Sequence, residues 1–106
     1  MQLLCYELKV AGLTFNVFPK DIEALLEGDV LELTAEPNNP FDPNAVMVSK
    51  DGHKFGYVPK SHNLKVARFL EAGDKVIAKV VSKQANNFLL LISIYIDMPV
   101  TRLIQD

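Results

Sequence analysis

The segment NAVMVSKDGHKFGYVP at 44–59 restricts the possible folds of this chain more than any other feature. Two short apolar runs flank Asp51-Gly52, a residue pair that readily adopts the positive φ angles of a two-residue hairpin turn. Pairing outward from that turn predicts three cross-strand pairs: Val48 with Phe55, Met47 with Gly56, and Val46 with Tyr57. Because Gly56 has no side chain, another part of the chain can approach the strand closely there. The segment therefore predicts an antiparallel β-hairpin.

Four other segments have the pattern of β-strands. Residues 29–36 (DVLELTAE) alternate apolar and polar side chains with a period of two, which is typical of a strand with one buried face. Residues 3–10 form a further predicted strand, and residues 74–83 and 88–96 form a second hairpin across the QANN segment. Together with the first hairpin this makes six strands.

Two short helices are predicted between these strands. The first begins near Pro19 and ends before Gly28, since proline favours the first helical turn and glycine the end of a helix. The second runs from Ser61, as its N-cap, to about Glu71, with Gly73 as its stop. Its inward face is predicted to carry Leu64, Ala67 and Leu70. The order of elements contains no βαβ unit, and no composition shift or repeat divides residues 1–106. It predicts a mainly β (α+β) single domain: a small, six-stranded, antiparallel OB-like or SH3-like barrel with two short helices.

Charge and composition limit the partners and the location. The net charge is -2 and the pI about 5.6. Proteins that coat nucleic acid by neutralising its phosphate backbone usually have a net positive charge. Recognition of one nucleotide or one strand end remains compatible with this balance. A lone Cys5 fits a reducing compartment, the first ten residues lack the pattern of a signal peptide, and the apolar run 88–96 is too short to span a bilayer as a helix. We expect a cytoplasmic protein that does not associate with membranes.

The residues expected of an enzyme are missing from the sequence. Zinc requires about four Cys, His, Asp or Glu ligands at suitable spacing, and one cysteine with His53 and His62 does not provide them. No P-loop and no GxSxG motif occurs. Glu32 and Glu36 share the outward face of the strand at 29–36, which a solvated surface explains. We therefore expect a binding domain with no catalytic residues, no metal and no cofactor.

The loop EPNNPFDPNA at 36–45 is unusually stiff. Pro40 and Pro43 each fix their own φ and force the preceding residue into an extended conformation. Phe41 and Asp42 are thereby held side by side, so that the ring could cover a flat ligand while the carboxylate reaches a hydroxyl or amine at its edge. The alternative is that Phe41 packs into the core and Asp42 caps its own turn. The residues alone leave both interpretations open.

The combination of EPNNPFDPNAV, the DG hairpin and GYVPK at 56–60 resembles the HIRAN family. These small domains occur alone in bacteria and fused to Swi/Snf-type remodelling ATPases that rescue stalled replication forks. The resemblance extends from about Val10 to Val81, with the second hairpin continuing to residue 96, and it leaves 97–106 uncovered. It implies an OB-like barrel that captures the 3′-hydroxyl end of single-stranded DNA in DNA repair, in association with a helicase, an ATPase or a nuclease.

The resemblance also implies roles for individual residues. Phe15 and Phe41 would stack on a base, Asp42 would accept a hydrogen bond from the 3′-hydroxyl, and Asn16 would contact the strand end. Tyr57 and Lys60 match positions that meet phosphate, and Phe88 matches the wall under the next base. This chain departs from the family pattern in having Thr14 in place of a basic residue, phenylalanine in place of tyrosine at 15 and 41, and Tyr57 where histidine is frequent.

Two further features keep other interpretations open. The lysines at 75, 79 and 83 share one strand face, and Lys65 and Arg68 share one helix face, so each set could flank DNA or simply face solvent. The run FLLLISIYI at 88–96 is apolar on both faces. Either the helix at 61–71 and the barrel interior cover it, or the tail 98–106 or a second copy does. The alternative function is therefore a homodimerising protein-interaction module without a nucleic-acid role.

Overall fold

The computed structural model describes residues 1–97. Its strands are β1 (Gln2–Lys9), β2 (Val30–Ala35), β3 (Val46–Lys50), β4 (His53–Tyr57), β5 (Lys75–Gln84) and β6 (Leu89–Asp97). Its helices are α1 (Leu13–Asn16), α2 (Pro19–Glu23) and α3 (Lys60–Glu71), with a 3₁₀ turn at Ala85–Asn87 between β5 and β6. All six predicted strands are confirmed. The two predicted helices are present as α2 and α3, and α1 was not predicted.

The strands form one antiparallel sheet in the order β1-β6-β5-β2-β3-β4. A bridge between Ala11, just beyond β1, and Tyr57, at the end of β4, joins the two edge strands of this order. Two backbone hydrogen bonds make the bridge, from the Ala11 N–H to the Tyr57 carbonyl at 2.8 Å and from the Tyr57 N–H to the Ala11 carbonyl at 2.9 Å. The predicted six-stranded antiparallel sheet with short helices is confirmed, and this isolated bridge leaves the sheet only partly closed.

The first hairpin contains a β-bulge that the sequence analysis did not predict. Lys50 pairs with His53 and Ser49 with Lys54 across the two-residue turn, as predicted. Beyond them the register shifts, so that Val48 faces Gly56 and Met47 faces Tyr57. The three predicted cross-strand pairs are therefore wrong by one residue. Phe55 is the extra residue of β4, and it is buried together with its neighbour Gly56, which strict alternation does not allow.

The helices differ from the prediction in their ends and in the buried face of α3. Helix α2 ends at Glu23, and α3 begins at Lys60 after Pro59, so Ser61 is not its N-cap. The buried residues of α3 are Asn63, Val66 and Ala67, whereas Leu64 is 47% exposed. The prediction that Leu64 faces inward is wrong. The stripe 63-66-67-70 follows the spacing of one helix face, and Leu64 lies beside it.

Apolar side chains from every strand meet in one core. The most completely buried large residues include Ile22, Leu25, Leu31, Val46, Val48, Val66, Leu90, Ile92 and Ile94. Helix α3 packs mainly on β2, β3 and β5, and its Val66 and Ala67 belong to the same core cluster as the buried side chains of β6. The tail proposed as alternative cover lies outside the described residues. Within residues 1–97, no helix has both the length and the apolar character needed to cross a membrane.

Candidate nucleic-acid interface

A cavity of about 490 Å³ lies between α1, the loop that follows β2, the end of β4 and the start of α3. It brings together six of the seven residues predicted from the sequence: Phe15, Asn16, Phe41, Asp42, Tyr57 and Lys60. The seventh, Phe88, lines a neighbouring cavity of about 370 Å³. Ala11 and Gly12 line both cavities. Residues from three separate parts of the chain, at 15–16, 41–42 and 57–60, therefore converge on one place.

The loop at 36–45 is stiffened by an asparagine as well as by its prolines. The side-chain oxygen of Asn39 accepts hydrogen bonds from the backbone N–H groups of Phe41 at 2.9 Å and of Asp42 at 3.1 Å. Its amide nitrogen donates to Glu36 Oε1 at 3.0 Å. With its backbone held in this way, Phe41 is 90% exposed. The alternative in which this ring packs into the core is therefore wrong.

Asp42 caps its own turn, as the alternative interpretation expected, and also contacts α3. Its Oδ1 accepts from the Asn44 backbone N–H at 2.9 Å, and its Oδ2 accepts from the Asn63 side-chain amide at 2.8 Å. The Asn44 N–H, then the Asn63 amide and the nearby Lys60 charge hold the pKa of the Asp42 carboxyl below its ordinary value. An ionised carboxylate has roughly four acceptor positions. Asp42 therefore keeps acceptor capacity for a ligand while its orientation is fixed.

Phe15 stands on α1, a single turn whose position depends on Gly56. The Asn16 side chain donates to the Gly12 carbonyl at 2.8 Å, which closes this turn on itself. A Cβ at residue 56 would lie only 2.1 Å from the Ala11 carbonyl oxygen. The predicted close approach at Gly56 is thus confirmed, and the chain that approaches is the one leading into α1. Phe15 itself is 89% exposed at the cavity.

Tyr57 is held at several points. Its backbone forms the bridge to Ala11, and its hydroxyl donates to Glu36 Oε1 at 2.8 Å. The Lys54 ammonium nitrogen lies 4.5 Å from the centre of its ring. Glu36 is therefore half-buried and accepts two side-chain hydrogen bonds, so its interpretation as part of a solvated strand face is wrong.

The neighbouring cavity lies along the chain leading into α1. Its lining includes Thr14, Pro59 and Phe88. Phe88 follows the 3₁₀ turn, and its φ of 48° places its backbone in the left-handed region. Its side chain packs partly against the core. Phe88 is therefore placed beside the main cavity rather than in it.

Three polar residues of the cavity were not predicted from the sequence. Asn63, which is 4% exposed, would have been found if the helix face had been read as the 63-66-67-70 stripe. The role of Asn39 has a local signal, because asparagine commonly bonds to the backbone two residues onward. Lys54 has no such signal. In a regular strand Lys54 and Tyr57 would point to opposite faces, and only the bulge brings them together.

Within residues 1–97, no group of three or more His, Cys, Asp and Glu side chains is arranged to hold a metal ion. The chemistry that the cavity offers is an aromatic surface, an oriented carboxylate and lysine ammonium groups.

Comparison with known proteins agrees with this architecture. The family model described as HIRAN domain matches residues 3–100. No curated protein matches the chain. A crystal structure of a protein from Lactobacillus plantarum is similar, with a TM-score of 0.81 and 22% identity over 90% of this chain and 93% of that chain. The crystal structure of the HIRAN domain of human HLTF is similar with a TM-score of 0.72 and 21% identity, over 90% of this chain and 74% of that one.

Proposed function

Because the chain belongs to the HIRAN domain family, whose members are in general DNA-binding modules of helicase-like and remodelling proteins, we propose that it captures the 3′-hydroxyl end of single-stranded DNA. The observation that carries this proposal is the pairing of an exposed Phe41 ring with an oriented Asp42 carboxylate at one cavity. The domain would comprise residues 1–106. It would bind without catalysis, alongside a helicase, an ATPase or a nuclease in DNA repair.

The two exposed phenylalanines that line the cavity would bind the terminal base. Phe15 and Phe41 line the same cavity from α1 and from the proline-rich loop. Base stacking on an aromatic ring is worth about 1–3 kcal/mol per base and tolerates every base. Phenylalanine keeps the π face that tyrosine would offer. The pocket would therefore show little base preference.

Asp42 would provide the selectivity for a strand end. A 3′-hydroxyl can donate to the ionised carboxylate, and such a charge-assisted bond is stronger than a neutral one. A 3′-phosphate or a continuing phosphodiester has no proton to donate and carries a negative charge. Asp42 would thus repel the phosphates at internal sites as well as attract a free 3′-hydroxyl, and both effects would favour binding of a strand end.

The remaining predicted residues would guide the strand. Asn16 donates its amide to Gly12, which leaves its side-chain oxygen to accept from the ligand. Lys60 lines the cavity beside Asp42 and would contact phosphate. Phe88 would support the base next to the terminal one, from the neighbouring cavity.

Fluorescence anisotropy with three labelled oligonucleotide forms tests the proposal: a free 3′-hydroxyl, a 3′-phosphate and a circular strand. We expect the wild type to prefer the free hydroxyl and Asp42→Asn to lose that preference. Asp97→Asn removes the same charge at an exposed strand end and should behave as wild type. Equal binding of the three forms by the wild type would contradict end recognition.

The stacking contribution needs its own variants. Phe15→Ala and Phe41→Ala should each weaken binding by about 1–3 kcal/mol. Phe18→Ala is the matched control, because Phe18 is 70% exposed on the same segment but lies outside the cavity lining. If all three substitutions weakened binding equally, stacking in this cavity would be the wrong explanation.

A second candidate function is a homodimerising interaction module. On β1, Leu3 and Tyr6 are exposed, and Leu3 lies opposite Tyr95 of β6, which is only partly covered. This outer face could pair with a second copy. Sedimentation equilibrium distinguishes the two functions: a monomer at all concentrations would exclude the dimer, whereas a dimer that binds no oligonucleotide would replace the DNA-binding proposal.

A further inference from the structure

We propose that Lys54 binds the last phosphodiester of the captured strand and that the Tyr57 ring holds its ammonium group in place. This inference rests on the function proposed above and names a contact within the same cavity. Lys54 is half-buried, lines the cavity and has its ammonium nitrogen 4.5 Å from the centre of the Tyr57 ring. A cation at this distance over an aromatic face is attracted to it.

The bulge in β4 makes this arrangement possible. Residues three apart on a regular strand point to opposite faces of a sheet. The extra residue at Phe55 changes the alternation, so Lys54 and Tyr57 lie on the same side. Bulges commonly redirect a side chain in this way next to a functional site.

In this proposal the Tyr57 ring is a platform for Lys54, rather than the phosphate ligand that the family resemblance implied. A tyrosine hydroxyl has one proton to donate, and that of Tyr57 is donated to Glu36 at 2.8 Å. The backbone bridge to Ala11 holds the other end of the residue. A lysine that rests on such a platform loses less side-chain freedom on binding than a free one.

The charge of Lys54 is available to a ligand. Among residues 1–97, Lys54 forms no salt bridge; the ion pair found there joins Lys50 and Asp29. Lys60, by contrast, lies close enough to Asp42 to lower the pKa of its carboxyl. The cavity thus holds one lysine whose charge acts on the carboxylate and another whose ammonium group lies over an aromatic ring.

The position of the phosphate follows from these contacts. With the 3′-hydroxyl at Asp42 and the base on the phenylalanine rings, the chain leaves the pocket through the phosphodiester on the 5′ side of the terminal nucleoside. A non-bridging oxygen of that group can accept a charge-assisted hydrogen bond from an ammonium donor. Of the two lysines that line the cavity, Lys54 is the one whose ammonium group lies over an aromatic ring.

The test combines a protein substitution with a neutral linkage in the ligand. Oligonucleotides carry a methylphosphonate, which removes one phosphate charge, at the last linkage or at an internal linkage distant from the 3′ end. For the wild type, the neutral last linkage should weaken binding roughly tenfold, and the neutral internal linkage should have little effect. Lys54→Gln should weaken binding of the natural strand by a similar factor and be insensitive to the neutral last linkage.

Salt dependence and a matched control complete the design. For Lys54→Gln, the slope of log affinity against log salt should fall by about 0.7, the value for one phosphate contact in a single strand. Lys79→Gln is the control, because the Lys79 ammonium lies 5.2 Å from the Tyr95 ring but outside the cavity lining. Tyr57→Phe, which keeps the ring, should preserve the coupling between residue 54 and the last linkage. Tyr57→Leu should abolish it, and thermal unfolding of each variant verifies folding.

The outcomes separate the two proposals. If Lys54→Gln and the neutral last linkage weaken binding independently, or if Lys79→Gln matches Lys54→Gln, the Lys54 contact is overturned while end recognition stands. If the wild type binds a 3′-hydroxyl and a 3′-phosphate equally, end recognition is wrong. In that case the coupling between residue 54 and the last linkage still tests the Lys54 contact. Absence of any DNA binding would overturn both.

Discussion

Replacing Gly56 with alanine should remove the contact that joins the two edge strands of the sheet. The added Cβ would lie 2.1 Å from the Ala11 carbonyl oxygen, 2.9 Å from Val10 Cγ1 and 3.2 Å from the Ala11 carbonyl carbon. The first contact is with backbone, which cannot rotate away as a side chain can. The Ala11 segment must therefore move outward, and its two hydrogen bonds with Tyr57 would break.

The size of the effect follows from these contacts. Overpacking a core position costs about 1–3 kcal/mol, and each lost backbone hydrogen bond costs about 0.5–1.5 kcal/mol. We expect Gly56→Ala to lower the free energy of unfolding by roughly 2–6 kcal/mol, a large share of the total for a domain of this size. Because the displaced segment leads into α1, DNA binding through Phe15 should weaken as well.

Urea denaturation of wild type and variant measures the loss as a shift in midpoint. Gly73→Ala is the control. Its φ of +89° makes alanine strained, yet its Cβ would meet nothing within 4 Å, so its cost should be about 1–2 kcal/mol of backbone strain. If Gly56→Ala costs no more than Gly73→Ala and leaves DNA affinity unchanged, the reasoning from the close approach is refuted.

Three further predictions concern the carboxylates and the helix face. Asn63→Asp would place a buried acid against Asp42, where the Asn63 amide now donates a hydrogen bond at 2.8 Å. This variant should lower the free energy of unfolding at neutral pH by at least about 2 kcal/mol, and part of the loss should be recovered in acid. Urea denaturation at neutral and at acid pH measures both effects. The Leu26 N–H, which donates to the Asp29 carboxylate, and then the Lys50 charge hold the pKa of Asp29 below its ordinary value of 3.8. The pKa of Asp42 also lies below this value. Their contribution to stability should therefore be complete above that value and disappear as the pH falls through the lower, folded-state pKa values. The stability difference between wild type and Asp42→Asn should shrink only in this acid range, and shrinkage near neutral pH would contradict the assignment. On α3, Val66→Ala should cost about 2 kcal/mol and Leu64→Ser less than about 0.5 kcal/mol; the reverse order in thermal unfolding would mean that the buried face is wrongly identified.

The features that could be predicted from the sequence are those determined by neighbouring residues. The two-residue turn at Asp51-Gly52 and the alternation in 29–36 reflect neighbouring residues, and both are confirmed. The exposure of Phe41 was one of two open alternatives for the same loop. The proline restrictions could limit its backbone but could not decide whether the ring points toward the core or toward solvent.

The features that failed depend on distant contacts. Nothing near Phe55 indicates that β4 must take an extra residue there; the bulge allows Phe55 to be buried while Gly56 receives the Ala11 carbonyl. Likewise, Leu64 is an apolar residue of a helix, and only the packing of α3 on β2, β3 and β5 leaves it outside the core.

The amino-acid sequence by itself determined the strand order along the chain, the tight turn and the stiff loop with its ring and carboxylate, because these follow from backbone sterics and local periodicity. The tertiary structure decided which groups meet: Asn63 with Asp42, Glu36 with Tyr57, and Lys54 with the Tyr57 ring. The first two contacts join residues from different elements, and the third depends on the bulge within β4. Their geometry depends on how the sheet curves and shifts register, and that is settled only when the whole core packs.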